Sequence, residues 1–387
     1  MILDAERGKR RAVLERIFKR RAHGPTVTRE LLAGVTTFAA MAYILAVNPD
    51  ILAAAGMPKA ALLTATAVSA AVATLLMAAL TNLPIALAPG MGINAFFAFS
   101  ICVAMKVPWQ SALGLVFVNG CIFLALSLTG VREKIIEAIP HSLKVAVTAG
   151  IGLFIALIGL QNGGLVVANS ATMVSLGDLG TPSVALFFGG LLLTAVLVAR
   201  RVPGAILLAI LAISLVGLLV PDGKGGHVTK WPAEFLSAPA SLAPAAFQLN
   251  FDLFMHDPLR AVVLTLTLLF VDMFDNIGSL IAVTRRAGLV GPDDKIPRAG
   301  RALVADSTAA ILSSLLGTST VVTYIESATG VQAGGRTGLT AIVTAACFLL
   351  ALVFTPGFLA IPAVAGAPRL VGGRSLYPSP SPPDPPH

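Results

Sequence analysis

Three acidic residues in otherwise apolar sequence are the first sign of chemistry in this chain. The stretch FVDMFDNIGSL, residues 270–280, places Asp272 and Asp275 inside an apolar run from Ala261 to Val283. A spacing of i and i+3 puts both carboxylates on one face of a helix. An ionised carboxylate near the centre of a bilayer costs at least about 2.5–3.5 kcal/mol, so such groups face a protein-lined cavity and mark an ion or substrate path. Two carboxylates that share a site hold a proton more readily than one alone, and a group of that kind can carry a proton. The third acid, Glu326, lies in GTSTVVTYIESATGVQAGGRTG, residues 317–338, a stretch too broken by Gly, Ser and Thr for an ordinary span. A matching irregularity occurs at residues 81–99, TNLPIALAPGMGINAFFAF. Pro84 and Pro89 forbid a regular helix start there, and Gly90 and Gly92 release the backbone just before Asn94 and an aromatic run.

The elements that must hold these groups follow from composition. Of 387 residues 56% are hydrophobic and only 12% charged, and the mean hydropathy is +0.87. A water-facing surface needs roughly a quarter of its residues charged, so the pattern predicts an all-α polytopic membrane protein. Its apolar runs match the roughly 20 residues a helix needs to cross about 30 Å of hydrocarbon, with no alternating barrel pattern. Eleven spans are predicted, at 31–48, 60–80, 84–104, 109–130, 143–161, 182–199, 203–220, 261–284, 302–316, 320–333 and 337–355. The third and tenth are the broken ones. Paired broken spans in corresponding places of two halves point to a transporter site at the midplane, where half-helix amino termini and freed backbone groups meet the ligand. The helix from Thr64, TATAVSAAVATLLMAALTNLP, and that from Val304, VADSTAAILSSLLGTSTVV, both run from small residues into a broken segment, as an inverted repeat would.

Positive loops stay on the cytoplasmic side, so charge predicts orientation. With the amino terminus inside, most of the 27 Lys and Arg residues become cytoplasmic: the head up to Arg29, then Arg132, Lys134, Lys144, Arg200, Arg201, the 285–301 loop and Arg336. The net charge of +8 is then topological and implies no nucleic acid. The head, with RAVLERIFKRR, reads as an amphipathic helix on anionic lipid, and the first residues lack the form of a cleavable signal. Cys102, Cys121 and Cys347 stand alone in separate spans, and the five histidines fall at edges, loops or the tail. No metal ligand set and no cofactor are expected. GMGINA lacks the third glycine and the preceding soluble strand of a dinucleotide site.

With these pieces in place, TTFAAMAYILAVNP, NLPIALAPGMGINAFFAF, FVDMFDNIGSLIAV, GTSTVVTYIES and GGRTGLTA together resemble the AzgA-like purine permeases, a branch of the nucleobase-cation symporters. The resemblance runs over residues 25–365 and implies a seven-plus-seven inverted-repeat transporter. It implies a core of spans one to four (31–130) and eight to eleven (261–356), a gate beginning with spans five to seven (131–220), and an extracytoplasmic loop at 221–260. It further implies proton-coupled uptake of purine bases such as guanine, hypoxanthine, adenine or xanthine across the cell membrane. Carried over by motif position, Asn94 and Gly92, Asp272 and Asp275, and Glu326 fall at the family's binding and coupling positions. DNIGS departs from the more usual DTIGT at Asn276 and Ser279.

On the residues themselves, a carboxylate can hold a purine edge bidentately, which suits Glu326 or Asp272. Asn94 can donate and accept, and Phe96 or Phe97 can offer a ring face. Asp275, or whichever aspartate is less tied to substrate, is the candidate proton carrier. An intramembrane aspartyl protease draws its two acids from separate helices, unlike this pair. An anion carrier would avoid three acidic groups in its site, and a substrate-free proton pore is the remaining physical alternative. Within the segment 357–387, past FTPGFLAIPAVAGAP, the chain passes into a Pro- and Ser-rich tail. The expectation is a fold lacking its last three spans, whose exposed gate surface faces lipid or a second protomer, with a homodimer among the expected partners. The rival reading is a transport-inactive fragment.

Overall fold

The computed structural model describes residues 26–130, 141–169, 172–200, 202, 204–222, 226–232, 234–286, 288 and 298–372. The basic head over 1–25, Arg132, Lys134, Arg201, Lys295 and the tail from 373 lie outside the described residues. The first span is two helices, α1 (Val27–Met41) and α2 (Ile44–Ala53). Thr26 caps α1 by accepting the Arg29 N–H, an N-cap of the ordinary kind. The chain tightens between α1 and α2: the N–H groups of Ala46 and Val47 both go to the Tyr43 carbonyl, at 3.1 and 3.0 Å. Neither Gly nor Pro marks that break; the nearest, Pro49, lies six residues beyond Tyr43 inside α2, where it cannot donate to Leu45.

Helix α3 (Lys59–Thr81) leads into strand β1 (Leu87–Pro89), then α4 (Met91–Ala95), which continues as a π-helix over Phe96–Ala104. Next come α5 (Trp109–Leu128), α6 (His141–Asn162), a hairpin of β2 (Val166–Asn169) and β3 (Met173–Leu176), α7 (Pro182–Ala199) and α8 (Ala205–Gly217). The second half holds α9 (Asp252–His256), α10 (Pro258–Arg286), α11 (Ala299–Leu315), β4 (Val321–Thr323), α12 (Ser327–Gln332), α13 (Gly338–Ala351), α14 (Thr355–Leu359) and α15 (Ala363–Gly372). Helical elements thus occupy each of the eleven predicted runs. Among the described residues six helices are long and apolar enough to cross a membrane, with shorter apolar helices at Met91–Ala104, Gly152–Asn162 and Ala205–Gly217. Leu192, Leu215, Leu350 and Val263 are more than half exposed, which in water would be a liability and in lipid is an ordinary surface.

The expectation of a purely helical chain needs correction at two places. The β2–β3 hairpin follows α6, and β1 pairs with β4 antiparallel, Leu87 opposite Thr323, Ala88 opposite Val322 and Pro89 opposite Val321. The second pairing has a physical cause. A backbone freed from helix geometry inside hydrocarbon must find partners, each unmet group costing several kcal/mol. The two broken spans satisfy one another: the Gly90 N–H donates to the Thr320 carbonyl at 3.0 Å and the Tyr324 N–H to the Ala86 carbonyl at 3.0 Å. Side chains meet the rest. Thr74 of α3 accepts the Leu87 N–H at 2.9 Å, and Ser327 accepts the Ala86 N–H at 3.0 Å. Gly90 is required at the crossing, because a Cβ there would stand 2.9 Å from Val322. The helices that feed the strands, α3 and α11, pack against each other, as the two small-residue segments picked out from the sequence would in a repeat.

A candidate binding site where two broken spans cross

Asp272 sits on α10, which packs against β4, α12 and α4. It is 1% exposed, and both carboxylate oxygens accept amide hydrogens: Oδ1 from Asn276 Nδ2 at 2.8 Å and Oδ2 from Asn119 Nδ2 of α5 at 3.2 Å. Asn276 turns its other end to the crossing, where its Oδ1 accepts the Thr323 N–H at 2.9 Å. One amide therefore joins the carboxylate of α10 to the strand of the tenth span. The departure of this chain from the DTIGT pattern, at Asn276, is the residue that makes that join.

Glu326 follows β4 by three residues and stands at the start of α12, 4% exposed. The Tyr43 hydroxyl, placed by the break between α1 and α2, donates to its Oε1 at 2.9 Å. Asn94 lies on α4 with no exposed surface, and its Nδ2 donates to Asn48 Oδ1 of α2. Asn48 in turn donates to Thr66 of α3 at 2.8 Å and to Thr318 at 3.3 Å, just before β4. Gly92 is buried on α4, Phe96 is half-buried where the π-helix begins, and Asp275 is half-buried one turn beyond Asp272.

The pairing of β1 with β4 thus starts the half-helices bearing Asn94 and Glu326 from one strand pair, with α10 alongside. Four polar residues that sequence reasoning did not assign, Tyr43, Asn48, Asn119 and Asn276, make side-chain hydrogen bonds to Glu326, Asn94 and Asp272. Asn119 and Asn48 were detectable in principle as buried amides within apolar spans, but nothing local distinguishes them from packing residues. Cavities open elsewhere: one of about 580 Å³ is lined by Gln110, Ser111, Asn250, Asp252 and His256 and includes none of the candidate residues. In this conformation Asp272, Glu326 and Asn94 are closed off by protein.

Crossed half-helices joined by a short antiparallel pair, in two halves of one helical chain, define a multi-pass membrane transporter. The fold is that of known carriers with inverted repeats: the transmembrane domain of a cyanobacterium bicarbonate transporter, BicA, superposes with a TM-score of 0.65 over 90% of this chain and 87% of that one at 17% identity. The murine Solute Carrier 26 family member A9 anion transporter in the inward-facing state gives 0.61 over 92% and 60% at 10% identity. The model of the Permease family, Xan_ur_permease, matches residues 28–375, and the chain belongs to this family. It is 45% identical to the Putative permease MJ0326 of Methanocaldococcus jannaschii over 92% of this chain and 80% of that one. It is 41% identical to the Adenine permease AdeP of Escherichia coli (93% and 79%) and 42% identical to the Guanine/hypoxanthine permease PbuG of Bacillus subtilis (90% and 80%). The chain is a transporter and not an enzyme.

Proposed function

We propose that this permease carries purine nucleobases across the cytoplasmic membrane by alternating access, coupled to protons, with its amino terminus inside. The observation that carries the reading is the β1–β4 crossing, from which the half-helices of Asn94 and Glu326 both start and to which Asn276 fastens Asp272. Carboxylates and amides are the groups that read the N–H and C=O edge of a flat heterocycle, and a carboxylate can take two N–H donors at once. Asp272, Glu326, Asn94 and Gly92 form the binding surface, Phe96 offers a ring face, and Asp275 carries the coupling proton. The core of spans one to four and eight to eleven holds the site, and spans five to seven belong to the gate that rocks against it. The relatives named as adenine and guanine/hypoxanthine permeases support the substrate class.

The test is uptake of radiolabelled adenine, guanine and hypoxanthine by cells lacking their own purine carriers and expressing this chain. Saturable uptake of at least one base, abolished by a protonophore and faster at acid than at alkaline external pH, is expected. Saturable uptake indifferent to both would remove the proton, and uptake of none of the three would remove the purine.

A further inference from the structure

The contacts around Asn94 have a direction, and the direction can be followed from an atom whose role is fixed. The Leu62 carbonyl can only accept. The Thr66 hydroxyl donates to it at 2.6 Å, so the lone pairs of that oxygen are what remain for another partner. Asn48 must therefore turn its NH₂ end toward Thr66, at 2.8 Å, and the second amide hydrogen goes to Thr318 at 3.3 Å. Its Oδ1 is then the end that faces Asn94, and only the NH₂ end of Asn94 can meet it. The last link leaves Asn94 Oδ1 buried with no hydrogen-bond partner.

An amide carbonyl without a partner in the protein interior costs about 1–3 kcal/mol. Cores do not ordinarily tolerate such an atom, and here it ends a chain of four groups that hold it in place. Two more polar atoms without a partner, Ser319 Oγ and Thr320 Oγ1, follow Thr318 directly in the chain and are fully buried.

We infer that Asn48 is a positioning residue: it turns Asn94 so that its carbonyl oxygen, not its amide nitrogen, meets the transported base, which must present an N–H at that point. The inference rests on the reading that Asn94 contacts the base, and it narrows that reading. An asparagine free to turn would accept either a donor or an acceptor from its ligand. An asparagine anchored through Asn48 and Thr66 accepts only a donor, so a base methylated at the matching nitrogen loses the bond and leaves the carbonyl buried and unpaired.

The experiment measures binding of adenine, guanine and hypoxanthine to the purified full-length chain by calorimetry, and then of the 1-, 7- and 9-methyl derivatives of the base that binds best. In the parent protein methylation of one nitrogen is expected to weaken binding at least tenfold. That penalty should persist in Thr66→Ser, which keeps the hydroxyl. It should shrink to under threefold in Thr66→Val and in Asn48→Leu, where Asn94 is released, and in Asn94→Leu, where the acceptor is gone. Two independent releasing variants guard against one that does not fold, and unfolding temperature reports that directly. If the penalty vanishes in Asn94→Leu but stays at full size in Thr66→Val and Asn48→Leu, the positioning role falls and the site reading stands. If Asn94→Leu binds base and methylated base as the parent does, or if none of the three bases binds, the site reading falls and this inference with it.

Discussion

Replacing Asn276 by leucine cuts the link between α10 and the strand of the tenth span while keeping a branched side chain of the same number of heavy atoms. Asn276 is 2% exposed and makes two bonds at once, donating to Asp272 Oδ1 at 2.8 Å and accepting the Thr323 N–H at 2.9 Å. Leucine removes both. The buried Thr323 N–H is left unpaired, at about 1–3 kcal/mol, and Asp272 loses a hydrogen bond to a charged group, about 1.5–3 kcal/mol. Asn119 still reaches Oδ2, at 3.2 Å, so the carboxylate is loosened rather than stranded. If only the lower bound of the second figure falls on the bound state, purine affinity drops about tenfold, since 1.4 kcal/mol is a factor of ten. Threonine offers a control. One hydroxyl can donate to Asp272 and accept from Thr323 together, so Asn276→Thr should stay within threefold of the parent. The assay is calorimetric binding on purified protein, with unfolding temperature recorded alongside. A folded Asn276→Leu protein that binds within threefold of the parent would show that fastening Asp272 to β4 does not matter for binding.

The Tyr43 hydroxyl is one donor to Glu326 Oε1. Tyr43→Phe should therefore weaken binding about fivefold, as expected from the loss of a hydrogen bond of about 1 kcal/mol, with little change in maximal uptake rate. Asp275→Asn should leave equilibrium binding within threefold while uptake loses its dependence on external pH and on the protonophore. Retained pH dependence would move the proton to another group. Gly330 lets α12 lie directly on α1, for a Cβ there would stand 2.0 Å from Thr37 Oγ1 and 2.6 Å from the Ala33 carbonyl. Gly330→Val should lower the unfolding temperature sharply, and Thr37→Ala should restore only part of the loss because the carbonyl remains in the way.

The spans were legible because a bilayer demands long apolar runs, and the run at 182–199 coincides with α7, Pro182–Ala199. The broken third and tenth spans were legible for the opposite reason, since Pro84, Pro89, Gly90 and the Gly- and Ser-rich 317–338 stretch cannot continue a helix. What the broken spans do to one another was not. The pairing of Leu87 with Thr323 joins residues more than two hundred positions apart, and no periodicity encodes it. The break at Tyr43 carries no Gly or Pro, and its use is apparent only once the hydroxyl is found on Glu326. The partners Asn48, Asn119 and Asn276 were hidden for the same reason: an amide in an apolar run shows that something polar is near, but the identity of that neighbour belongs to tertiary structure. The hairpin at 166–176 was passed over because it lies between two spans and shows no strong alternation.

A shared fold does not fix the cargo, and this chain shares its architecture with a bicarbonate transporter and an anion transporter. On the reading proposed here the difference lies in side chains at the crossing. Asp272 and Glu326 put carboxylates where an anion would have to rest, and two like charges 4 Å apart repel by about 4 kcal/mol at an effective dielectric of 20. Removing the repulsion does not create attraction. The double variant Asp272→Asn, Glu326→Gln loses both carboxylates but gains no cation, and the amides Asn48, Asn94, Asn119 and Asn276 keep their partners or acquire neutral ones. It should therefore lose purine uptake and gain no bicarbonate uptake, measured with labelled bicarbonate in the same cells. Bicarbonate uptake above that of empty cells would mean that charge at these two positions alone selects between the cargoes. The oriented amides around them would then have no part in the choice.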